Sequence, residues 1–405
     1  MKFSELFNST SSPRSPISSN NIRRNENEDE EKEYALMYSG CSFCFYGLLL
    51  GFLLAGILLA TILALWLSTN TETTDSSTSN SGSSISLGSS ITTTTTVMKT
   101  CTDWIWNSTG ETIAGVTGSA GTAANQLSSP WNIFIDVKNN NTLYIADSGN
   151  HRIQKWLLGA PTGTTVAGVS GSVGATATLL NTPKDVFVDS SQNLYVADSL
   201  NNRIQFFSYG ILSGSTVSSG WSSPGSLWGV QVVNNLIYAC DNTKSAIWKN
   251  GSVVAGNQIA GSGNNQLNLP QGFAVDTSMV PGTIYAVNSQ QHTIVQWTAN
   301  TTTGNIVAGS NGIQGSSSTL LMYPVSIKLD AYTNMFVVDN NNHRIQLFCR
   351  YPTVNITART IAGTGAKGST ANTLTFPAGI ALDSSMNLYV SDTSNHRIQR
   401  FQRLV

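Results

Sequence analysis

The stretch PWNIFID at residues 130–136, followed by LYIADSGNHRIQKW at 143–156, decides the fold because related copies recur along the chain. Two plain further copies begin with PKDVFVD at 183–189 and PAGIALD at 377–383. Each copy consists of short runs of alternating apolar and polar residues separated by turn residues, which is typical of successive antiparallel strands. A spacing of roughly 40 to 55 residues between copies is typical of propeller blades.

Three weaker copies complete the series: they begin with LWGVQVV at 227–233, PQGFAVD at 270–276 and PVSIKLD at 324–330. Each copy supplies strands that we label a, b, c and d in chain order. A d-type sequence, TIAG at 112–115, precedes the first copy, and the last copy stops at its c strand, residues 397–401. The N-terminal d strand can therefore complete the last blade and close the ring. The sequence predicts an all-β, six-bladed propeller over residues 103–405.

The turns D-x-x-N-H-R-I-Q at 147–154, 339–346 and 392–399 resemble those of NHL repeats. The resemblance covers about three quarters of the chain and implies a six-bladed NHL-type propeller. Such propellers occur in tripartite-motif ubiquitin ligases, where they bind substrates or RNA, in the extracytoplasmic sensors of bacterial receptor kinases, and as the peptidyl-hydroxyglycine amidating lyase. The resemblance thus implies a fold but does not select a function.

A run without charged residues at 45–67 is long enough to cross a membrane as a helix. Basic residues precede it at Arg23, Arg24 and Lys32, whereas Lys99 is the first one after it. Because positive residues near a span stay in the cytoplasm, the chain is predicted to be a type II signal-anchor protein of the plasma membrane with an extracellular propeller.

The segments on either side of this predicted helix lack the composition of a folded domain. Residues 1–40 contain an acidic run and predict a disordered cytoplasmic tail, and residues 68–100 are mostly Ser, Thr, Asn and Gly and predict a flexible stalk. Glycosylation sequons follow at Asn107, Asn140, Asn250, Asn300 and Asn355. All five fall in a-b turns, c-d connections or an equivalent place, so they are predicted to lie on one face of the propeller.

Charge and cysteine content exclude some classes of protein. Lys and Arg number 21 against 22 Asp and Glu, and charged residues make up only 11% of the chain. A nucleic-acid-binding protein needs a basic stripe, so we expect no nucleic-acid partner. Five cysteines are too few for a disulfide scaffold or a zinc module. Cys101 and Cys349 could pair with each other; pairing of Cys101 with another chain is the alternative.

Residues that recur in most blades are expected to be structural. Four arginines follow an aspartate by five residues across the b-c turn, and this spacing predicts a bracing ion pair; these are Arg152, Arg203, Arg344 and Arg397. All four histidines of the chain share one repeat position: His151, His292, His343 and His396. Equivalent positions in a six-fold ring lie too far apart to share one metal ion. No catalytic residue is therefore assigned, and the lyase resemblance is expected to stop at the fold.

A ring of carboxylates is predicted at the ends of the a strands: Asp136, Asp189, Asp276, Asp330 and Asp383. One interpretation is that each caps its own a-b turn by accepting backbone N–H groups, which implies no cofactor. The alternative is a collar around a hydrated cation such as calcium. The position after the leading Pro, by contrast, differs between blades and includes Trp131, Lys184, Trp228 and Gln271. Such variation suits either a specific ligand-binding surface or drift at a solvent position.

These patterns predict a single-pass membrane protein whose extracellular propeller recognises a protein, peptide or glycan ligand and performs no chemistry. Two alternatives remain open at this point. One is an ectoenzyme of the lyase or hydrolase kind that uses a cation in the channel. The other is a substrate receptor of the ubiquitin-ligase type, although no RING, B-box or coiled-coil pattern precedes the propeller.

Overall fold

The computed structural model describes residues 101–278, 280–350 and 357–404, and these form six four-stranded antiparallel sheets. No helix within the described residues is long and apolar enough to span a membrane. The predicted membrane helix at 45–67, the tail at 1–40 and the stalk at 68–100 lie outside these residues.

The sheets follow one another along the chain as blades 1 to 6. Blade 1 comprises β2 (Pro130–Asp136), β3 (Thr142–Asp147), β4 (Arg152–Trp156) and β5 (Thr164–Gly168). Blade 2 comprises β6 (Pro183–Val188), β7 (Leu194–Asp198), β8 (Arg203–Phe207) and β9 (Ser215–Thr216). Blade 3 comprises β10 (Leu227–Val233), β11 (Leu236–Asp241), β12 (Ala246–Lys249) and β13 (Ser252–Ala255).

Blade 4 comprises β14 (Phe273–Val275), β15 (Ile284–Asn288), β16 (Thr293–Trp297) and β17 (Asn305–Gly309). Blade 5 comprises β18 (Pro324–Leu329), β19 (Met335–Asp339), β20 (Arg344–Phe348) and β21 (Arg359–Ala362). Blade 6 comprises β22 (Ile380–Leu382), β23 (Leu388–Asp392), β24 (Arg397–Phe401) and the N-terminal β1 (Glu111–Gly115). Short 3-10 segments occur at Cys101–Asp103, Ser148–Asn150, Ser199–Asn201, Ser289–Gln291, Asn340–Asn342 and Thr393–Asn395.

Ring closure occurs as predicted, because β1 pairs antiparallel with β24, with Thr112 opposite Gln399. The segment before β1 also packs on the propeller: Trp104 and Trp106 are buried in a cluster with Phe336 and Phe401. The segment that leads into β1 is thus part of the packed propeller.

The hydrophobic core lies between neighbouring blades. Tyr144 and Ile153 of blade 1, for example, pack in one cluster with Val186 and Val196 of blade 2. Both faces of each sheet are covered by a neighbour, which is why every residue of β3 is buried rather than every second one.

The two faces of the ring differ in the connections that they carry. Arg152 at the start of β4 donates to the carbonyl oxygen of Thr122, so b-c turns and d-a loops share one face, which we call the upper face. The backbone N–H of Tyr209 donates to Asn193 Oδ1, so c-d connections and a-b turns share the opposite, lower face.

Candidate ligand site at the upper channel mouth

The b-c turn is held by a buried ion pair in four blades, which confirms the predicted bracing role. In blade 1, Arg152 Nε lies 2.7 Å from Asp147 Oδ2, and Asp147 Oδ1 accepts the backbone N–H of Ser128. The equivalent pairs are Asp198–Arg203, Asp339–Arg344 and Asp392–Arg397. The Arg152 guanidinium also donates to the carbonyl oxygens of Thr122 and Gln126 in the d-a loop. Each of these arginines therefore links the d-a loop to the b-c turn through hydrogen bonds.

Two blades lack the arginine and satisfy the same position differently. Asp241 of blade 3 accepts hydrogen bonds from the backbone N–H of Gly225 at 2.7 Å and from Trp248 Nε1 at 3.2 Å. In blade 4, Asn288 Oδ1 accepts the backbone N–H of Asn268 at 2.7 Å. An acceptor for the d-a loop is thus present in each of the six described b-c turns.

The four histidines connect neighbouring blades. His151, for instance, has a left-handed backbone with φ of 55°, and its Nδ1 accepts the backbone N–H of Thr182 in the loop that leads to blade 2. His396, His292 and His343 accept the N–H groups of Ser129, Tyr323 and Phe376 in the same way, at 3.1 to 3.2 Å. Each histidine therefore belongs to a separate interface between blades.

The predicted carboxylate ring forms hydrogen bonds within its own a-b turns on the lower face. Asp330 Oδ1 accepts the backbone N–H groups of Tyr332 and Asn334, and its Oδ2 accepts Asn334 Nδ2. Backbone N–H groups of the local turn also bond to Asp136, Asp189, Asp276 and Asp383. Across the described residues, no group of three or more His, Cys, Asp or Glu side chains could hold a metal ion.

At the upper mouth of the channel, the structure brings together three of the four predicted ligand residues. Lys184 of blade 2 places Nζ 3.6 Å from the ring centroid of Trp131 and 4.9 Å from that of Trp228. The two indole rings, from blades 1 and 3, have centroids 5.3 Å apart and are perpendicular, with an interplanar angle of 89°. Trp228 Nε1 donates to Ser226 Oγ at 2.8 Å, which fixes that ring. The cluster bridges three consecutive blades.

The ammonium group of Lys184 has aromatic neighbours but lacks an anion. The parts of the chain that the structure describes offer it no hydrogen bond or ion pair. Burial lowers the pKa of Lys184 to about 8, because the charged form is held away from water. The π faces of Trp131 and Trp228 attract the cation and partly compensate for that loss.

The equivalent positions of blades 4 to 6, at or just before the start of each a strand, lie in different surroundings. Gln271 of blade 4 is buried and donates from Nε2 to the hydroxyl of Tyr323 at 2.7 Å, while its Oε1 has no hydrogen-bond partner among the described residues. Val325 and Ala378, in blades 5 and 6, are buried apolar residues. This position is therefore polar or aromatic in blades 1 to 4 and apolar in blades 5 and 6.

Sequence reasoning missed a buried carboxylate beside this cluster, that of Asp185, which follows Lys184 in the chain. Asp185 Oδ2 accepts the backbone N–H of Val230 in blade 3, and its Oδ1 accepts that of Val186. Burial raises the pKa of Asp185 to about 6, whereas the Lys328 ammonium of blade 5 and the donated hydrogen bonds act in the opposite direction. A blade-by-blade comparison contained the signal, because an acidic residue occupies this a-strand position in blade 2 only.

The four sequons within the described residues and the disulfide lie on or near the lower face. Asn140, Asn250 and Asn300 are exposed and Asn107 is half-buried, whereas Asn355 lies outside the described residues. Cys101 and Cys349 form a disulfide with Cα atoms 5.6 Å apart, and Cys240 is a buried free thiol.

A groove of about 470 Å³ between blades 1 and 2 also opens at the lower face. It is lined by side chains that include Tyr144, Lys155, Leu157, Tyr209 and Leu212. Three of these, Leu157, Tyr209 and Leu212, are among the exposed large hydrophobic residues of the propeller. None of the predicted ligand residues lines this groove.

Six blades, closure by an N-terminal strand and Asp–Arg pairs at the b-c turns define the protein as a six-bladed β-propeller of repeated sequence. The family model of the NHL repeat matches residues 133–156 and 374–401. The protein is thus a six-bladed β-propeller with NHL repeats at these two segments.

Solved structures share this fold at low sequence identity. A Bacteroides thetaiotaomicron protein of unknown function aligns with a TM-score of 0.57 and 15% identity over 74% of this chain and 76% of its own. An auxiliary nutrient binding protein from the same organism gives a TM-score of 0.55 and 16% identity over 73% and 76%. A gluconolactonase from Xanthomonas campestris gives 0.50 and 12% over 74% and 97%. No curated protein sequence matches the chain. These similarities concern the fold alone.

Proposed function

We propose that the protein is a single-pass membrane protein whose extracellular propeller recognises a protein, peptide or glycan ligand at the upper channel mouth. The observation that carries this proposal is the cluster of Trp131, Lys184 and Trp228. The aspartates, arginines and histidines recur from blade to blade because the fold needs them repeatedly. Within the described blades the cluster occurs once, and it holds two half-buried indoles beside an ammonium group that has no anionic partner there.

The d-a loops around this mouth support a role in binding. They are rich in Gly, Ser, Thr and Asn, and a rigid ring holds them in place. Partly buried tryptophans supply large contact areas and are common anchors of binding sites. The proposed plasma-membrane location rests on the uncharged run at 45–67 and on the basic residues before it.

The test is a binding screen with the full-length protein against extracellular proteins, peptides and glycans. A ligand of this site is expected to lose at least about ten-fold in affinity for Trp228→Ala, because truncation of an aromatic anchor of a binding site costs about 2 kcal/mol. Tyr209→Ala is the matched control, since this exposed aromatic residue lies on the lower face. If the ligand binds Trp228→Ala and the wild type equally well, it does not bind at the upper channel mouth, which contradicts the proposal.

Location is tested separately by adding protease to intact cells that express the protein. Digestion of the propeller from outside, with the N-terminal tail protected, is the expected result. A propeller that is digested only after the cells are permeabilised would contradict the extracellular assignment.

A further inference from the structure

The upper face carries no exposed carboxylate within the described residues. Its d-a loops contain neither Asp nor Glu; their ranges are 116–129, 169–182, 217–226, 256–272, 310–323 and 363–379. The aspartates that open the b-c turns, Asp147, Asp198, Asp241, Asp339 and Asp392, are fully buried and serve as acceptors for the loops. They therefore present no negative charge to a ligand.

The upper face carries three lysines in its described loops, turns and channel mouth. Lys184 lies in the channel mouth, Lys244 in the b-c turn of blade 3, and Lys367 in the loop before blade 6. Lys367 lies 5.4 Å from the ring centroid of Phe376, which is itself a partly exposed aromatic residue. The accessible charges of the face are thus these three lysines, whose potential favours an anion, yet they are too few to neutralise a nucleic-acid backbone.

Lys184 is the centre of this potential. A half-buried ammonium without a counter-charge is unfavourable in the free protein, and an incoming carboxylate would supply the missing partner. A ligand cation would fit less well, because the Lys184 ammonium beside the two indoles would repel it.

The surroundings of Lys184 indicate the rest of the ligand. The slightly positive C–H groups of a pyranose ring pack well on the negative face of an indole. Loops made largely of Ser, Thr, Asn and Gly offer hydroxyl, amide and backbone groups for sugar hydroxyls. An extended peptide, by comparison, usually pairs with an exposed strand edge or lies in a groove, whereas Lys184 and the two indoles converge on one point.

We propose that the mouth formed by Trp131, Lys184 and Trp228 binds an acidic saccharide, with the carboxylate paired to Lys184 and the sugar ring packed on the indoles. This inference rests on the proposed function and specifies its ligand. Hexuronic and sialic acids share the required chemistry, and separate probes distinguish the two.

The test uses full-length protein and oligosaccharides that end in glucuronic acid or in sialic acid, each compared with its own carboxylate methyl ester. The acid is expected to bind at least ten-fold more tightly than the ester. Added salt is expected to weaken the binding of the acid but not that of the ester. Lys184→Gln should abolish this preference, whereas Lys184→Arg should retain part of it. Lys138→Gln, an exposed lysine of the lower face, is the control and should bind as the wild type does. Thermal unfolding of each variant shows whether it is folded.

Several results would overturn the acidic-saccharide proposal. These are equal affinity for acid and ester, an unchanged preference in Lys184→Gln, and failure of every carboxylated saccharide to bind at millimolar concentration. Preferential binding of a peptide C-terminal carboxylate or of a quaternary ammonium compound would also reject it. A neutral ligand whose binding depends on Trp228 but not on Lys184 would reject this inference and leave the proposed function intact.

Discussion

Among single residues, Arg344 illustrates how a charged group can be both buried and structural. Its side chain is 10% exposed, its Nε pairs with Asp339, and its guanidinium also donates to the carbonyl oxygens of Ser316 and Leu320. The Arg344→Gln variant leaves Asp339 buried without its counter-charge and is expected to lose about 3–5 kcal/mol of unfolding free energy.

The matched control is Arg400→Gln, which removes an ion pair with Glu111 at the surface, where Glu111 is 64% exposed. Exposed pairs contribute little, so we expect a loss below about 1 kcal/mol. Urea unfolding measures both changes. Equal losses in the two variants would show that the b-c turn does not depend on the buried pair.

The histidines provide a prediction about pH. Burial lowers the pKa values of His292 and His343, opposed by Asp339 near His292 and by Asp392 near His343, while Lys367 adds to the lowering at His343. When the pH falls below about 6.5, the unfolded chain therefore takes up protons before the folded one, and stability is lost. A protonated Nδ1 also could not accept the N–H of Tyr323 or Phe376.

Replacing both residues, as in His292→Asn with His343→Asn, should reduce the loss of stability between pH 7.5 and pH 5. Asn is the natural choice because Asn202 occupies the same left-handed position in blade 2. Thermal unfolding midpoints at the two pH values test this expectation. A pH dependence identical to that of the wild type would exclude these two histidines as its source.

At the scale of elements, the d strands of five blades end at, or directly before, a glycine that the turn geometry requires. Gly309 has φ of +77°, and a Cβ atom there would lie 2.1 Å from the carbonyl oxygen of His292. The same approach recurs at Gly115, Gly168, Gly256 and Gly363. The recurring Ala-Gly of the d strands thus marks the point where strand d meets the b-c turn of its own blade.

Gly309→Ala should therefore destabilise the protein by more than about 2 kcal/mol, because backbone strain and a backbone clash add together. Gly312→Ala provides the comparison: its φ is +71°, but a Cβ atom there meets only Gln291 Oε1 at 3.6 Å. Denaturant unfolding of the two variants isolates the contribution of the clash. Equal destabilisation would mean that the His292 carbonyl moves aside without loss.

On the scale of the whole molecule, two connections close the ring. β1 completes blade 6, and the Cys101–Cys349 disulfide joins the segment before β1 to blade 5 across a sequence separation of 248 residues. Reduction should lower the unfolding midpoint, by an amount equivalent to about 2–5 kcal/mol, because the unfolded chain gains freedom. The double variant Cys101→Ser with Cys349→Ser should unfold at the lower midpoint with or without reductant. A wild-type midpoint that reductant does not change would contradict this expectation.

The sequence by itself determined the number of blades, the order of their strands and the closing strand. These follow from local patterns, namely the alternation in strands a to c, the turn residues between them and the d-type TIAG at 112–115. The Asp–Arg pairs were predictable as well, because a fixed spacing across a short turn brings the two side chains together whatever the rest of the fold does. The b-c turn of blade 3 was not predictable, because Trp248, which donates to Asp241, lies at a different sequence position from the missing arginine.

Only the tertiary structure decided which variable positions meet. The sequence offered Trp131, Lys184, Trp228 and Gln271 as equivalent positions in four blades, but it contained no information about side-chain direction across the channel. In the structure, the rings of Trp131 and Trp228 both lie beside the Lys184 ammonium group. Gln271 instead donates a hydrogen bond to Tyr323. The blade-to-blade role of the histidines was equally hidden, because their partners lie 31 to 33 residues away, or 267 across the closed ring. Contacts between distant parts of a chain depend on ring curvature and packing, which no local pattern encodes.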